Sequence, residues 1–171
     1  FYRLTGNLLL SSLMGAELYV DEIARPIEDQ SPLADLSKRL ESEGRHVYAI
    51  PGGGSEHPLG SLGYMVCAAE IVDQAAALGR PFDYIVHCTG SSSTQAGLLA
   101  GLRALGVDTR VVGIADDEET TIKAGRVLQL ANDTLALLGL ETRVVEQDVT
   151  VIAADQSAYG IADARTLEGI R

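Results

Sequence analysis

Six small residues, Thr89-Gly90-Ser91-Ser92-Ser93-Thr94, separate an apolar stretch, Tyr84-Ile85-Val86-His87-Cys88, from a helix-like one that starts at Gln95-Ala96-Gly97. In parallel α/β sheets ligands collect beyond the carboxyl ends of strands, where loops lead into helix N-termini. Small side chains let a ligand reach the backbone there, and the exposed N–H groups and helix dipole favour an anion. Gly90 leaves room for that approach, and Ser91, Ser92, Ser93 and Thr94 add hydroxyl donors. The chemistry that this spacing points to is phosphate binding. A solvent-facing turn that caps the helix accounts for the same residues, because Ser and Thr are also preferred N-caps. Spacing alone leaves both readings open. The loop holds no Lys, so it is not a Walker-type nucleotide site. A dinucleotide site is a third reading, with Asp116 and Asp117 where a ribose-binding carboxylate belongs. Against it, the loop lacks the second glycine of G-x-G-x-x-G, and Asp116 to Glu119 also suit the first turn of a helix.

A second glycine-rich strand exit, Ile50-Pro51-Gly52-Gly53-Gly54-Ser55-Glu56-His57-Pro58-Leu59-Gly60, lines the same crevice or is a plain βα connection needing positive φ angles. His57 is a candidate acid or base, but with His46 and His87 the only other histidines no Ser/His/Asp triad emerges. Cys88, at the end of a strand expected to be buried, reads as a core thiol. No Cys/His or carboxylate cluster has metal-ligand spacing.

The elements that must position these loops alternate. Helices are expected over Asn7–Met14, Ser31–Glu43, Leu62–Leu78, Gln95–Leu105 and Glu118–Leu138, most of them closed by a glycine. Strands are expected over Ala16–Val20, His46–Ile50, Phe82–Cys88, Arg110–Ala115 and Val149–Ala154. Arg110–Ala115 is apolar enough to be buried on both faces. The third helix should turn Leu62, Met65, Val66, Ala69, Val72 and Ala76 inward, and the fifth Ala124, Val127, Leu128, Ala131, Leu135 and Leu138. The alternation predicts an α/β fold with an open, mostly parallel twisted sheet and helices on both faces. A start at Phe1 without Met, and a helix broken off at Thr166–Arg171, lead us to expect a segment of a larger protein, incomplete at both ends.

With 171 residues, 46% hydrophobic and 22% charged, the chain has material for a real core and is neither disordered nor membrane-spanning. Thirteen Lys and Arg against 24 Asp and Glu give a net charge of −11, which repels phosphate backbones and anionic lipid and argues against nucleic-acid or membrane partners. Two cysteines build no disulfide framework, so a cytoplasmic location is expected.

Ile50-Pro51-x-Gly53-x-Ser55, His57-Pro58-Leu59-Gly60-x-Leu62-Gly63-Tyr64 and Phe82-Asp83-Tyr84-Ile85-Val86, followed by Thr89-Gly90-Ser91-x-x-Thr94-Gln95-Ala96-Gly97, resemble the 1-aminocyclopropane-1-carboxylate (ACC) deaminase and D-cysteine desulfhydrase family of pyridoxal-phosphate (PLP) enzymes. Gly6-Asn7, Gly15-Ala16, Tyr159-Gly160-Ile161 and Thr166 to Ile170 extend the likeness over essentially the whole chain. The resemblance implies PLP fold type II, like the tryptophan synthase β subunit. Residues 1–50 would then belong to a smaller domain and 51–171 to the larger cofactor domain, together the central portion of the enzyme. It assigns the cofactor phosphate to Gly90, Ser91, Ser92, Ser93 and Thr94, a substrate-proximal role to Tyr159, and the pocket wall to Gly54 and Ser55. Members carry glycine at one of the positions matching Ser92 or Ser93.

The family's Schiff-base lysine comes from a Gly-Gly-Asn-Lys segment that these residues do not contain. The two lysines present, Lys38 and Lys123, have acidic residues three and four positions ahead, Asp35 and Glu119, and read as helix-surface ion pairs. The resemblance implies a lyase or deaminase acting on a small amino acid, in a homodimer. Thr89-Gly90-Ser91 leans towards D-cysteine desulfhydrase, with pyruvate, ammonia and sulfide as products. ACC deaminase, to which His57 to Gly60 lean, and cysteate sulfo-lyase are the alternatives. Outside the family, the rival is a non-catalytic or dinucleotide-binding α/β module.

Overall fold

The computed structural model describes residues 5–23, 29–50, 57–115, 118–154 and 164–170. The chain divides into two compact units, residues 1–52 and 53–171.

In the first unit, α1 covers Gly6–Leu13 and α2 covers Ser31–Ser42, close to the expected bounds. Pro32 starts α2 in the first turn, where its missing N–H costs nothing. The Arg39 guanidinium lies 5.0 Å from the centre of the Tyr19 ring, and Arg45 pairs with Glu17 at 3.8 Å. The strands expected at Ala16–Val20 and His46–Ile50 do not form; neither segment pairs in a sheet among the described residues. Most of their apolar side chains stand exposed, Tyr48 and Ile50 most of all, with Val47 half-buried. Strand propensity is a preference for a half-buried pleated surface, and without an adjacent strand it has nothing to act on.

The second unit carries α3 (Pro58–Ala77), β1 (Tyr84–Cys88), α4 (Ser93–Ala104), β2 (Arg110–Ala115), α5 (Thr120–Leu137), β3 (Val149–Ala153) and α6 (Ala164–Ile170). The sheet runs β1-β2-β3, all parallel, with Ile85 opposite Val111 and Gly113 opposite both His87 and Val151. The strands follow in sequential order, and α4 and α5, the helices of the two crossovers, pack against each other. One face of β2 carries Val111, Gly113 and Ala115, all buried, while Val112 and Ile114 behind them are only half-buried. Burial of β2 on both faces is therefore not observed: its outer face, with Val86 of β1 and Ile152 of β3, is uncovered among the described residues. For the same reason β1, an edge strand of this sheet, leaves Cys88 exposed rather than in the core.

Helix α4 is the buried centre. Nine of its residues, Ser93 and Gln95 through Leu102, are out of solvent. Close approach to α3 requires glycine. A Cβ on Gly97 would collide with the Ser61 carbonyl and the Tyr64 Cβ, and one on Gly101 with Ala68 and the Met65 backbone. This crossing sets the buried line of α3 as Ser61, Ala68 and Ala75, with Met65 half-buried. The predicted face is correct at Met65 and Val72, which pack on the core, and Leu62 and Ala69 are half-buried, but Val66 and Ala76 point to solvent. Helix α5 buries Lys123, Val127, Leu130, Ala131, Thr134 and Leu135. Leu138, expected inside, is half exposed past the helix end, and the expected face missed Lys123.

Replacing Gly97 by Ala should cost about 2–3 kcal/mol, because backbone must move to admit the methyl group. That corresponds to a fall in Tm of roughly 4–12 °C, readable by calorimetry. Gly125→Ala on α5, where an added Cβ meets nothing within 4 Å, should instead stabilise by about 0.5–1 kcal/mol.

Candidate functional site

Strand β1 delivers the chain to the carboxyl edge of the sheet, where the Thr89 N–H continues the ladder by donating to the Ile114 carbonyl at 2.8 Å. The next four residues make the turn into α4. The Ser93 N–H donates to the Ser91 carbonyl at 2.6 Å across Ser92, whose φ and ψ are 59° and −33°. An i to i+2 bond over a positive φ is a γ-turn of the rare, strained kind. Ser92 alone among the described non-glycine residues has a positive φ. Strain of this sort concentrates where a loop must present its backbone to a ligand.

The predicted loop residues are thus brought together at the N-terminus of α4. Gly90 and Ser91 form the turn, Ser92 is the residue before the helix, and Ser93 and Thr94 open its first turn. Ser92 does not cap the helix with its hydroxyl. The Ser92 and Thr89 hydroxyls are both about 1% exposed and have no hydrogen-bond partner among the described residues. A capping turn facing solvent would show the opposite, a wet hydroxyl bonded to the helix N–H groups. Buried, unpaired hydroxyls at a helix N-terminus are donors that a phosphate satisfies. The residues present fit that group.

Sequence reasoning misassigned one residue of this region. Lys123 does not pair with Glu119 on the surface of α5. It is 0% exposed, and its Nζ donates to the Gly90 carbonyl and lies 3.4 Å from the Glu118 carboxylate. Glu118 also pairs with Arg126 at 2.8 Å. Glu119 is instead the N-cap of α5 and accepts from the Thr121 and Ile122 N–H groups, each at 3.1 Å. Those bonds, with one from the Thr121 hydroxyl as the largest influence, hold its carboxyl below the ordinary range. With Glu119 occupied at the cap, α5 turns Lys123 towards the loop. No local spacing signals this, because the deciding contact is with residue 90.

Gln95 also gains a role. Buried above Gly113, which has no side chain to exclude it, Gln95 donates from Nε2 to the Thr150 carbonyl at 2.8 Å and ties α4 to β3. His57 is the N-cap of α3, its Nδ1 accepting from the Leu59 N–H at 3.2 Å, which accounts for it structurally. Gly54, Ser55, Tyr159, Asp116 and Asp117 lie outside the described residues. Lys38 is exposed on α2. Surface depressions lined by Val107, Asp108, Thr109 and Arg110 sit at the amino ends of the strands, away from this loop. Among the described residues no group of His, Cys, Asp and Glu could hold a metal ion.

His87 borders the site on β1 with its Nε2 buried and unpartnered. Burial pushes its pKa below the ordinary 6.5, partly opposed by the Nδ1 contact with the Cys88 carbonyl. The folded protein therefore binds fewer protons than the unfolded chain, and stability is lost as pH falls from about 6.5 towards the lower folded value. His87→Gln should flatten the fall in Tm as pH drops below about 6.5. Ser92→Gly should raise the unfolding free energy by about 1 kcal/mol in urea titrations without added ligand, as relief of the γ-turn exceeds the entropy of an added glycine.

Comparison with known proteins matches residues 4–171 to the family model described as pyridoxal-phosphate dependent enzyme. A probable ACC deaminase of Schizosaccharomyces pombe is 34% identical over 99% of this chain, and the ACC deaminases of Ralstonia pickettii and Bradyrhizobium diazoefficiens are each 36% identical over 99%. In all three the match takes in 51% of the relative, so the chain spans about half the length of the curated relatives it matches. A crystal structure of an ACC deaminase homologue superposes with a TM-score of 0.79 at 34% identity, over 92% of this chain and 46% of that one. The α/β order and the parallel sheet accord with these comparisons, and this chain belongs to the family of pyridoxal-phosphate-dependent enzymes.

Proposed function

We propose that this chain is the cofactor-phosphate half of a PLP-dependent deaminase whose substrate is ACC, converted to 2-oxobutanoate and ammonia. The observation that carries the cofactor reading is the pair of buried, unpartnered hydroxyls, Thr89 and Ser92, at the N-terminus of α4. The substrate reading rests on relatives named as ACC deaminases at 34–36% identity over 99% of the chain. They favour ACC over D-cysteine, to which Thr89-Gly90-Ser91 alone inclined the sequence reading, and they displace the dinucleotide-binding module. Division of the chain near Gly52 supports placing residues 1–50 in a smaller domain and 51–171 in the cofactor domain.

In this reading Gly90 to Thr94 grip the phosphate through backbone N–H groups and the hydroxyls of Ser91, Ser92, Ser93 and Thr94, and so fix where the cofactor's ring lies. PLP supplies an electron sink for the bond broken beside the substrate's amino group. Gly54 and Ser55 form one wall of the pocket, and Tyr159 lies beside the bound amino acid. Neither lysine of the chain is the covalent anchor: Lys123 is committed to Gly90 and Glu118, and Lys38 is exposed on α2. That lysine is supplied by other residues of the complete protein. A homodimer in the cytoplasm completes the proposal; two free thiols, Cys67 and Cys88, are at home in a reducing compartment. No helix among the described residues is long and apolar enough to cross a membrane, and the net charge of −11 disfavours nucleic acid as a partner.

The test measures 2-oxobutanoate, sulfide and sulfite released by the complete protein from ACC, D-cysteine and cysteate. Release of 2-oxobutanoate from ACC as the fastest reaction is expected; sulfide from D-cysteine as the fastest would reverse the substrate assignment. Ser91→Ala combined with Thr94→Val should weaken PLP binding by about tenfold or more, as two hydrogen bonds to a charged group are lost. Unchanged affinity in an equilibrium titration would remove the phosphate from this loop.

A further inference from the structure

The link between α5 and the loop goes beyond holding the fold together. The Gly90–Ser91 peptide is trans, so its carbonyl and its N–H point in opposite directions. Lys123, completely buried, captures the carbonyl of that peptide from the α5 side. The N–H of Ser91 is thereby turned away from α5. Two further observations mark an anion at this turn: the unpartnered, buried hydroxyls of Thr89 and Ser92. We propose that Lys123 is a positioning residue that clamps the Gly90–Ser91 peptide so that the Ser91 N–H faces a phosphate bound at the N-terminus of α4. An ammonium on the carbonyl also polarises the peptide and makes its N–H a stronger donor.

Glu118 orients the clamp. Its carboxylate lies 3.4 Å from the Lys123 Nζ and is held on its other side by Arg126 at 2.8 Å. The ammonium can therefore reach Gly90 without leaving a buried charge unpaired. A role for Lys123 as covalent anchor is incompatible with this placement, since its Nζ already serves one carbonyl and one carboxylate.

The inference rests on the cofactor reading above for the identity of the phosphate, and the test separates the two. Binding of PLP, pyridoxal and inorganic phosphate to the complete protein, freed of cofactor, is measured by calorimetric titration for the native sequence, Lys123→Met and Lys123→Arg. Lys123→Met should weaken PLP and inorganic phosphate by about tenfold or more and leave pyridoxal, which has no phosphate, within about twofold. Lys123→Arg, which keeps a cationic donor, should recover most of the loss. Equal weakening of pyridoxal and PLP, or no weakening of either, overturns the positioning role. Should the single variant fail to fold, Lys123→Met with Glu118→Gln leaves no buried carboxylate behind and carries the same comparison. Native protein that binds inorganic phosphate but not PLP overturns the cofactor reading and leaves the clamp standing; binding of none of the three overturns both.

Discussion

Burial of α4 is the constraint on which the rest of the second unit depends. A helix enclosed on every side has to approach its neighbours at close range, and glycine makes each approach possible. Gly97 and Gly101 let the backbone of α3 come into contact, and Gly113 on β2 leaves the space in which Gln95 lies. Core density then does the rest, with Leu98, Leu99 and Leu102 of α4 packed among Val111, Val127, Leu130 and Leu135. Because α4 cannot shift without breaking these contacts, its first turn has a fixed address at the carboxyl edge of the sheet. The loop of six small residues leading into it, with Thr89, Ser92 and Ser93 buried against the same core, takes its position from that helix.

The loop departs from the favoured local solutions in three respects. Ser92 holds a γ-turn with positive φ, two hydroxyls are buried without partners, and a charged lysine is drawn into the interior to meet a carbonyl. Each is unfavourable in an empty fold, and together they support the proposal that the loop holds a ligand bringing negative charge and hydrogen-bond acceptors. Family membership names a ligand of that kind. The physical features fall on Thr89, Gly90 and Ser92, and the resemblance assigned the phosphate to Gly90 through Thr94, so the two overlap at Gly90 and Ser92.

Most of the second unit was legible in the sequence because its signals are local. Glycines end helices, hydroxyls and Pro begin them, and apolar runs of five or six residues mark strands; β2 falls on Arg110–Ala115 as expected, and β1, α4 and α5 differ from expectation by only one or two residues at each end. The errors fall where a partner decides the outcome. Ala16–Val20 and His46–Ile50 have strand-like composition and no strand to pair with among the described residues. The α3 face was misjudged at Val66 and Ala76 because periodicity shows that a helix is amphipathic but not which residues a glycine-lined neighbour selects, and here small residues, Ser61, Ala68 and Ala75, take the closest contact.

By itself the sequence determined the order of the elements, the position of the hydroxyl-rich loop between β1 and α4, and the family, since all three follow from residue types and short spacings. Only the tertiary structure decided what the side chains of that loop meet. Glu119 and Lys123 stand four apart, a spacing that reads as a surface pair, yet one caps the helix and the other enters the core. The choice depends on a carbonyl 33 residues away, brought beside α5 when β1 and β2 pair. Side chains on one helix have several local partners of similar strength in water, worth a few tenths of a kcal/mol. Burial separates these options by much larger energies, and burial is a property of the assembled fold.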